Sequence, residues 1–319
     1  MNRPQQRAPR VTPARYPLPA TRYSLLASRF PFPVSRFPFS ISHFPFPNPR
    51  FPSPEPLLHM PASIALVTGA ARRIGRTIAL ALAEQGWDVA VHYGQSHAEA
   101  QDTVRAIEQR GRRAVALACD LADEAAVRAL LPACAQALGP VGCVVNNASL
   151  FAEDRIDDFG AASLQRHMAV NLAAPLLLAR ALHAALPDAP DDGQHDEPRG
   201  VVINLLDQKL YNPNPDYLSY TLSKAALKEA TTLLAQALAP KVRVVGVAPG
   251  ITLTSGEQSD AGFARAHART PLGRSSTPQD VAQAVCFLAR AQAVTGAVLL
   301  VDGGQHLVPS ERDIMFLTE

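Results

Sequence analysis

Tyr220 and Lys224 stand four residues apart in LYNPNPDYLSYTLSK, and an acid, Asp207, lies thirteen residues before the tyrosine. On a helix, that four-residue spacing puts a phenol and an ammonium on one face, a single turn apart. A nearby ammonium favours phenolate over phenol, so the tyrosine pKa is expected to fall from about 10 and the hydroxyl to become a workable acid near neutral pH. Two such residues at helical spacing also occur by chance on solvated faces. The weight of the pair therefore rests on the elements that position it.

Those elements are legible. Val201 to Leu205 is a short apolar strand, Asp207 lies in the turn leaving it, and after a Pro/Asn-rich loop a helix begins near Asp216 or Tyr217. Earlier, Ile64 to Thr68 forms an apolar strand followed directly by GAARRIGR and a helix from Ile74 to about Gln85. In a strand, glycine turn, helix arrangement, free backbone amides and the helix N-terminus face an anion such as a pyrophosphate. Gly69 and Gly75 occupy two glycine positions of the turn, and Arg73 takes the middle one. The second strand, Val89 to His92, ends in His92-Tyr93, and the first acid afterwards is Glu99. An NAD site wants a carboxylate at that strand end for the ribose 2′-hydroxyl. Here Arg72, Arg73, His92 and Ser96 can converge on the ribose instead, which suits a 2′-phosphate and selects NADPH. Ser96 and Glu99 also read as a capping box for a helix reaching Arg110.

The pattern continues in the same style. A third strand, Ala114 to Ala118, leads to Asp120, which is placed to accept from an adenine amine or to serve as a turn residue, and a helix runs from about Asp123 to Leu138. The strand from Cys143 ends in Asn146, Asn147 and Ser149, short polar side chains suited to tying strand ends together. A long helix, roughly Ala161 to Leu186, carries Asn171 on an apolar face, where a buried amide needs partners. PDAPDDGQHDEPR reads as a solvated acidic loop. Val242 to Val247 followed by APGIT, a helix from Thr277 to about Ala291, and a strand from Ala297 to Val301 ending in DGG complete the series. Strands alternating with helices imply an α/β protein: a single-domain Rossmann fold, a doubly wound parallel sheet with helices on both faces and its site at the strands' carboxyl ends.

Composition divides the chain at Met60. Residues 1–59 hold eight Arg and one acid, Glu55, a balance of +7; taken from the net +2 of the whole, this leaves −5 for residues 60–319. The leader also holds 14 of the 28 prolines and a ragged repeat, SRFPFPV, SRFPFSI, SHFPFPN, PRFPSPE. Proline at that density forbids helix and ladder, so the leader reads as disordered and without catalytic consequence, and the functional protein as 60–319. A basic aromatic repeat is also a pattern that touches nucleic acid, but no nucleic-acid or membrane partner is expected for the folded part. Four cysteines, Cys119, Cys134, Cys143 and Cys286, lack the paired spacing of a metal or redox site. No metal is expected, and with no span or secretory signal the expected location is cytoplasmic. The apolar tip of the C-terminus, Ile314 to Leu317, hints at packing on a partner subunit.

TGAARRIG, Asp120, NNAS, Asn171, YTLSK, APG and VDGG, in this order and spacing, strongly resemble the short-chain dehydrogenase/reductase family over Met60 to about Leu307. The resemblance implies a usually tetrameric oxidoreductase with Tyr220 as acid or base, Lys224 holding the nicotinamide ribose, and Asn171 in a proton relay. It carries cofactor contacts onto Gly69, Arg72, Arg73, Ile74, Gly75, His92, Ser96, Asp120, Leu121, Asn147, Ala148, Ser149, Pro249, Gly250 and Thr252. Two departures narrow it: Asp207 replaces the family's usual serine, and Arg73 the middle glycine. With HYGQS and NNASLF they resemble the pteridine reductase and dihydromonapterin reductase branch. There Arg73 would touch cofactor phosphate and pterin, Ser149 cofactor phosphate, Phe151 would stack on the pterin, and Asp207 would partner Tyr220 in protonating ring nitrogen. The expected substrate is a small pterin-like molecule reduced at a C=N bond. Two other readings stand beside it: a ketone or 3-oxoacyl reductase, and a non-catalytic NADP-binding protein.

Overall fold

Seven strands, each short and almost wholly apolar, pair side by side in parallel, in the order β3-β2-β1-β4-β5-β6-β7. They are β1 Ile64–Val67, β2 Asp88–Tyr93, β3 Ala114–Ala118, β4 Cys143–Asn146, β5 Gly200–Leu205, β6 Val242–Pro249 and β7 Val298–Val301. Residues 63–188, 199–254 and 258–317 are described by this computed structural model. The leader, the proposed start at Met60 and most of the acidic loop lie outside the described residues.

Apolar runs such as IALV and GVVINL are buried on both faces, because parallel strands are covered on each side by the helices that connect them. One layer comprises α1 Arg73–Glu84, α2 His97–Glu108 and α8 Pro278–Arg290, and its core includes Ile78, Leu82, Ile107, Val281 and Val285. The other comprises α3 Glu124–Leu138, α5 Ala174–Ala185 and α6 Leu218–Ala237, with Leu130, Leu131, Leu178, Leu182 and Ala235 buried against the opposite face. Helix starts follow local chemistry. The Asp123 carboxylate accepts from the amides of Ala125 and Ala126 at α3, and Thr277 with Asp280 forms a capping box at α8. The box expected at Ser96 does not form: Ser96 is the N-cap of α2, but its hydroxyl makes no capping bond.

Three further differences from the sequence reading concern helices. The long helix is two helices: α4 Ala161–Met168 and α5 are joined by a π turn at Ala169–Ala173, with Asn171 at its centre. A one-turn π insertion is a known device for presenting a side chain. The segment Ala161–Ala185 is also long and apolar enough to cross a membrane by length and composition, which amends the statement that no such segment exists. Its Ala174, Leu178, Ala179 and Leu182 are spent on the sheet as core. Finally, α7 Asp260–Ala268 was not foreseen; it is short, capped by Ser259 and weakly amphipathic.

The strand order reverses between β1 and β4. In such sheets the crevice outside the carboxyl ends at this point is where ligands bind.

Candidate active site

Two adjoining cavities open at those carboxyl ends. The first, about 640 Å³, is lined by Gly69, Arg72, Arg73, Ile74, Gly75, His92, Ser96, Asp120, Leu121, Asn147, Ala148 and Ser149, which the sequence reading had assigned to a cofactor. The turn at its floor tolerates little substitution. Gly69 has φ +63°, and a Cβ on Gly75 would lie 2.2 Å from the Gly69 carbonyl oxygen and 2.5 Å from Nδ2 of Asn147. Asn147 holds this turn against β1 by donating to the carbonyls of Thr68 (2.9 Å) and Gly69 (3.3 Å). One layer below, Asn146 donates to Asn204 at 2.8 Å and joins the ends of β4 and β5. Asp120 accepts from the Ala122 amide at 2.9 Å, so it serves as a turn residue as well as lining the cavity.

His92 is corrected. The imidazole is buried, with Nδ1 accepting from the Gly69 amide at 3.0 Å and Nε2 donating to the Cys119 carbonyl at 3.0 Å. Both nitrogens are engaged in the neutral tautomer, and burial lowers its pKa. The ring braces the glycine turn and has no donor left for a ribose phosphate. The two arginines part company as well. Arg73, at φ +54°, turns across the crevice and donates to the Thr254 carbonyl at 2.8 Å, whereas Arg72 lies along the cavity that Ser96 also lines.

The second cavity, about 310 Å³, brings together Arg73, Ser149, Phe151, Asp207, Tyr220, Lys224, Pro249, Gly250 and Thr252. Asp207 leaves β5 in extended backbone and caps a 3-10 turn, Gln208–Tyr211; its Oδ1 accepts from the Lys209 amide at 2.8 Å. Its Oδ2 accepts from the Tyr220 hydroxyl at 2.7 Å. Burial pushes the Asp207 carboxyl above the ordinary carboxylate range.

Tyr220 departs from expectation in direction. Its pKa is raised well above the ordinary value, first by burial and then by Asp207, so the phenol is held neutral. Lys224 does not reverse this. Its ammonium is buried, donates to the Leu205 carbonyl at 2.7 Å and lies 5.9 Å from the phenol ring centre; burial lowers its pKa to about 8. Asp207 and Tyr220 are thus joined by one hydrogen bond, and burial favours the protonated form of each.

Asn171 lines neither cavity. Its amide nitrogen donates to the Leu150 carbonyl (2.9 Å) and Ser223 hydroxyl (2.9 Å), and its oxygen accepts from the Leu150 amide (2.8 Å) and Ser149 hydroxyl (3.2 Å). This pins the loop bearing Ser149 and Phe151 to α6.

Sequence reasoning missed two features. Tyr217, at φ +55° before α6, stacks on Phe151 with ring centres 4.3 Å apart, while Tyr220 meets Phe151 edge-on at 4.7 Å. The signal available was a second tyrosine three residues before Tyr220, just ahead of α6. The second is that the C-terminal segment folds over this chain's own cavity. Buried Asp216 accepts from Arg312 Nε at 2.8 Å and from the Asp313 amide at 2.7 Å, and Lys209 donates to Asp313 at 3.1 Å. Phe316 lies 5.1 Å from the guanidinium of Arg155 and 5.1 Å from that of Arg312. Asp313, Ile314 and Met315 thereby become cavity walls.

Known proteins resemble this chain in sequence and fold. A family profile described as Enoyl-(Acyl carrier protein) reductase matches residues 69–306. The structure superposes on FolM alternative dihydrofolate reductase 1 from Brucella canis, solved with NADP, with a TM-score of 0.71 and 38% identity over 79% of this chain and 96% of that one. A short chain dehydrogenase from Burkholderia cenocepacia J2315, solved with NADP, superposes with a TM-score of 0.69 and 32% identity over 76% and 97% of the two chains. The putative ketoacyl reductase 2 of the granaticin polyketide synthase of Streptomyces violaceoruber is 34% identical over 77% of this chain and 97% of its own length.

Proposed function

From the premise that this chain belongs to the short-chain dehydrogenase/reductase family of oxidoreductases, we propose that it is an NADPH-dependent reductase of a pteridine, acting on a dihydropterin- or dihydrofolate-like C=N bond. The observation that carries the reading is the 2.7 Å hydrogen bond from Tyr220 to the Asp207 carboxyl, where a carbonyl reductase of this family usually has serine.

The residues of the larger cavity fit the cofactor. The amides of the Gly69–Gly75 turn and the N-terminus of α1 suit its pyrophosphate; Arg72 and Ser96, with no acid ending β2, suit a 2′-phosphate. Lys224 would hold the nicotinamide ribose. Bound NADPH supplies a hydride to the substrate carbon. The protein's task is then the proton on nitrogen. The Tyr220 hydroxyl, which donates to Asp207 at 2.7 Å, swings to the ring nitrogen and gives up its proton as the C=N bond becomes CH–NH, and a proton carried by the Asp207 carboxyl then crosses that contact in the opposite sense to restore the phenol. Burial supports this role, since it raises the pKa of both groups and so favours their protonated forms. Phe151, backed by Tyr217, offers a flat surface for a planar heterocycle.

The test is a substrate panel on the purified protein, followed by nicotinamide absorbance. NADPH consumption with a dihydropterin is expected. Consumption with 3-oxoacyl thioesters or simple ketones and none with any pterin would replace the reading with that of a carbonyl reductase, the activity named for the granaticin relative. Calorimetric binding of NADPH without consumption across the panel would leave a non-catalytic NADP-binding protein.

A further inference from the structure

Among the described residues, two buried side-chain polar atoms lining the catalytic cavity have no hydrogen-bond partner in the protein: Oε1 of Gln208 and Nε2 of Gln258. They arrive on different loops. Gln208 opens the 3-10 turn after β5, next to Asp207; Gln258 lies ahead of α7 in the loop after β6 and is only 9% exposed. Buried polar atoms are almost always paired, because burial strips them of water. The pair is also of opposite sense, one an acceptor and one a donor. A third glutamine in the same wall shows the ordinary case: Gln305 accepts from the Ile251 amide at 2.9 Å.

We propose that Gln208 and Gln258 form a specificity subsite that reads the lactam edge of a flat heterocycle. Gln258 donates to a ring carbonyl oxygen, and Gln208 accepts from the neighbouring ring N–H or an exocyclic amine. The inference rests on the pteridine reading and narrows it to 4-oxo rings as opposed to their 4-amino counterparts. A simple ketone supplies the acceptor but nothing for Gln208. Both residues act in recognition, and the proton still comes from Tyr220 and Asp207.

The experiment compares kcat/KM for a 4-oxo dihydropterin with binding of its 2,4-diamino analogue, in the full-length protein with NADPH, for wild type, Gln258→Leu, Gln258→Met, Gln258→Glu and Gln208→Leu. The apolar variants should lose roughly 10-fold or more in kcat/KM, mainly through KM, as expected when a buried hydrogen bond to substrate is removed. Gln258→Glu replaces a donor with an acceptor, so the preference for oxo over amino ligand should narrow or invert, a change that a merely structural glutamine would not produce. NADPH affinity should stay within about 2-fold of wild type, because neither atom belongs to the larger cavity. The methionine variant keeps nearly the volume of glutamine and serves if leucine unfolds the loop. Unchanged kcat/KM together with an unchanged oxo-to-amino ratio overturns the subsite while leaving the pteridine reading in place. A wild-type protein that reduces ketones but no pterin overturns that reading and the subsite with it.

Discussion

Replacing Asp207 by Asn separates the carboxyl's shape from its proton. The amide oxygen can still accept from the Lys209 amide, now 2.8 Å from Oδ1, so the 3-10 turn after β5 keeps its cap. The amide nitrogen would then face the Tyr220 hydroxyl, now 2.7 Å from Oδ2, and the phenol must accept where it used to donate. What is lost is an exchangeable acid behind the tyrosine. General acid catalysis contributes about 10²–10⁴-fold, and because Tyr220 remains, the lower part of that range applies: kcat should fall roughly 10²–10³-fold, a barrier increase of about 2.7–4 kcal/mol. NADPH binding should stay within about 3-fold, since Asp207 is not part of the larger cavity.

The pH profile makes the test sharper. Asp207 has a raised pKa, so its proton, and the activity depending on it, is present at low pH and lost as pH rises through that value. Lys224 has a lowered pKa of about 8, and its charge is lost above it. Wild-type kcat should therefore fall with rising pH as each group loses its proton. Asp207→Asn should lose the part of the fall that belongs to the carboxyl and keep the one near 8. Single-turnover stopped-flow measurement of NADPH oxidation as a function of pH, on wild type and variant, reads the difference. An Asn variant within about 3-fold of wild type at every pH would refute the role given to the carboxyl.

Three more expectations concern the scaffold. Gly75→Ala places a methyl group 2.2 Å from a backbone oxygen, so the turn must shift; about 1–3 kcal/mol of stability and at least roughly 10-fold in NADPH affinity should go, read by thermal melting and calorimetry. Arg72→Glu puts a carboxylate where a 2′-phosphate is expected, and the NADPH-to-NADH ratio in kcat/KM should drop roughly 10–100-fold; an unchanged ratio would show that Arg72 is not the phosphate's partner. Arg312→Ala frees the C-terminal segment from Asp216, so limited proteolysis should clip it faster and substrate KM should rise several-fold, with kcat changing less. Burial favours the neutral form of Asp216, but Arg312, the Asp313 amide and Arg155 outweigh it and depress its pKa. The latch is therefore complete above the ordinary carboxylate range and opens in wild type only as pH falls below it.

What the sequence disclosed and what it withheld follow from range. The strands, the glycine turn, and the placing of Asp207, Tyr220 and Lys224 were legible because each depends on residues within a few positions of one another. So was the two-sided burial that makes the strands continuous apolar runs. His92 and the ionisation of Tyr220 were misjudged for a shared reason: residue type tells which groups exist, not which are already engaged. The imidazole stands at a strand end where a ribose binder would stand, yet both its nitrogens are taken by the Gly69 amide and the Cys119 carbonyl. Lys224 is one turn from Tyr220, yet burial and Asp207 decide the phenol's protonation. A phenol with a raised pKa stays protonated but is a weaker acid, so its proton transfer leans on the Asp207 carboxyl behind it.

The C-terminal segment marks the other boundary. Its contacts span 96 to 104 residues, from Asp216 to Arg312 and from Lys209 to Asp313, and no periodicity records a pairing of that kind. Ile314 to Leu317 therefore read as an apolar tip in want of a partner. In the structure its acid and base, Asp313 and Arg312, meet Lys209 and Asp216 on either side of the loop that carries the catalytic helix. The same loop fixes Tyr217 against Phe151. Closure of the tail and the flatness of the stacking surface are thus set by one short stretch, Lys209 to Tyr217. Substitutions there should alter substrate choice before they alter the proton-donating pair.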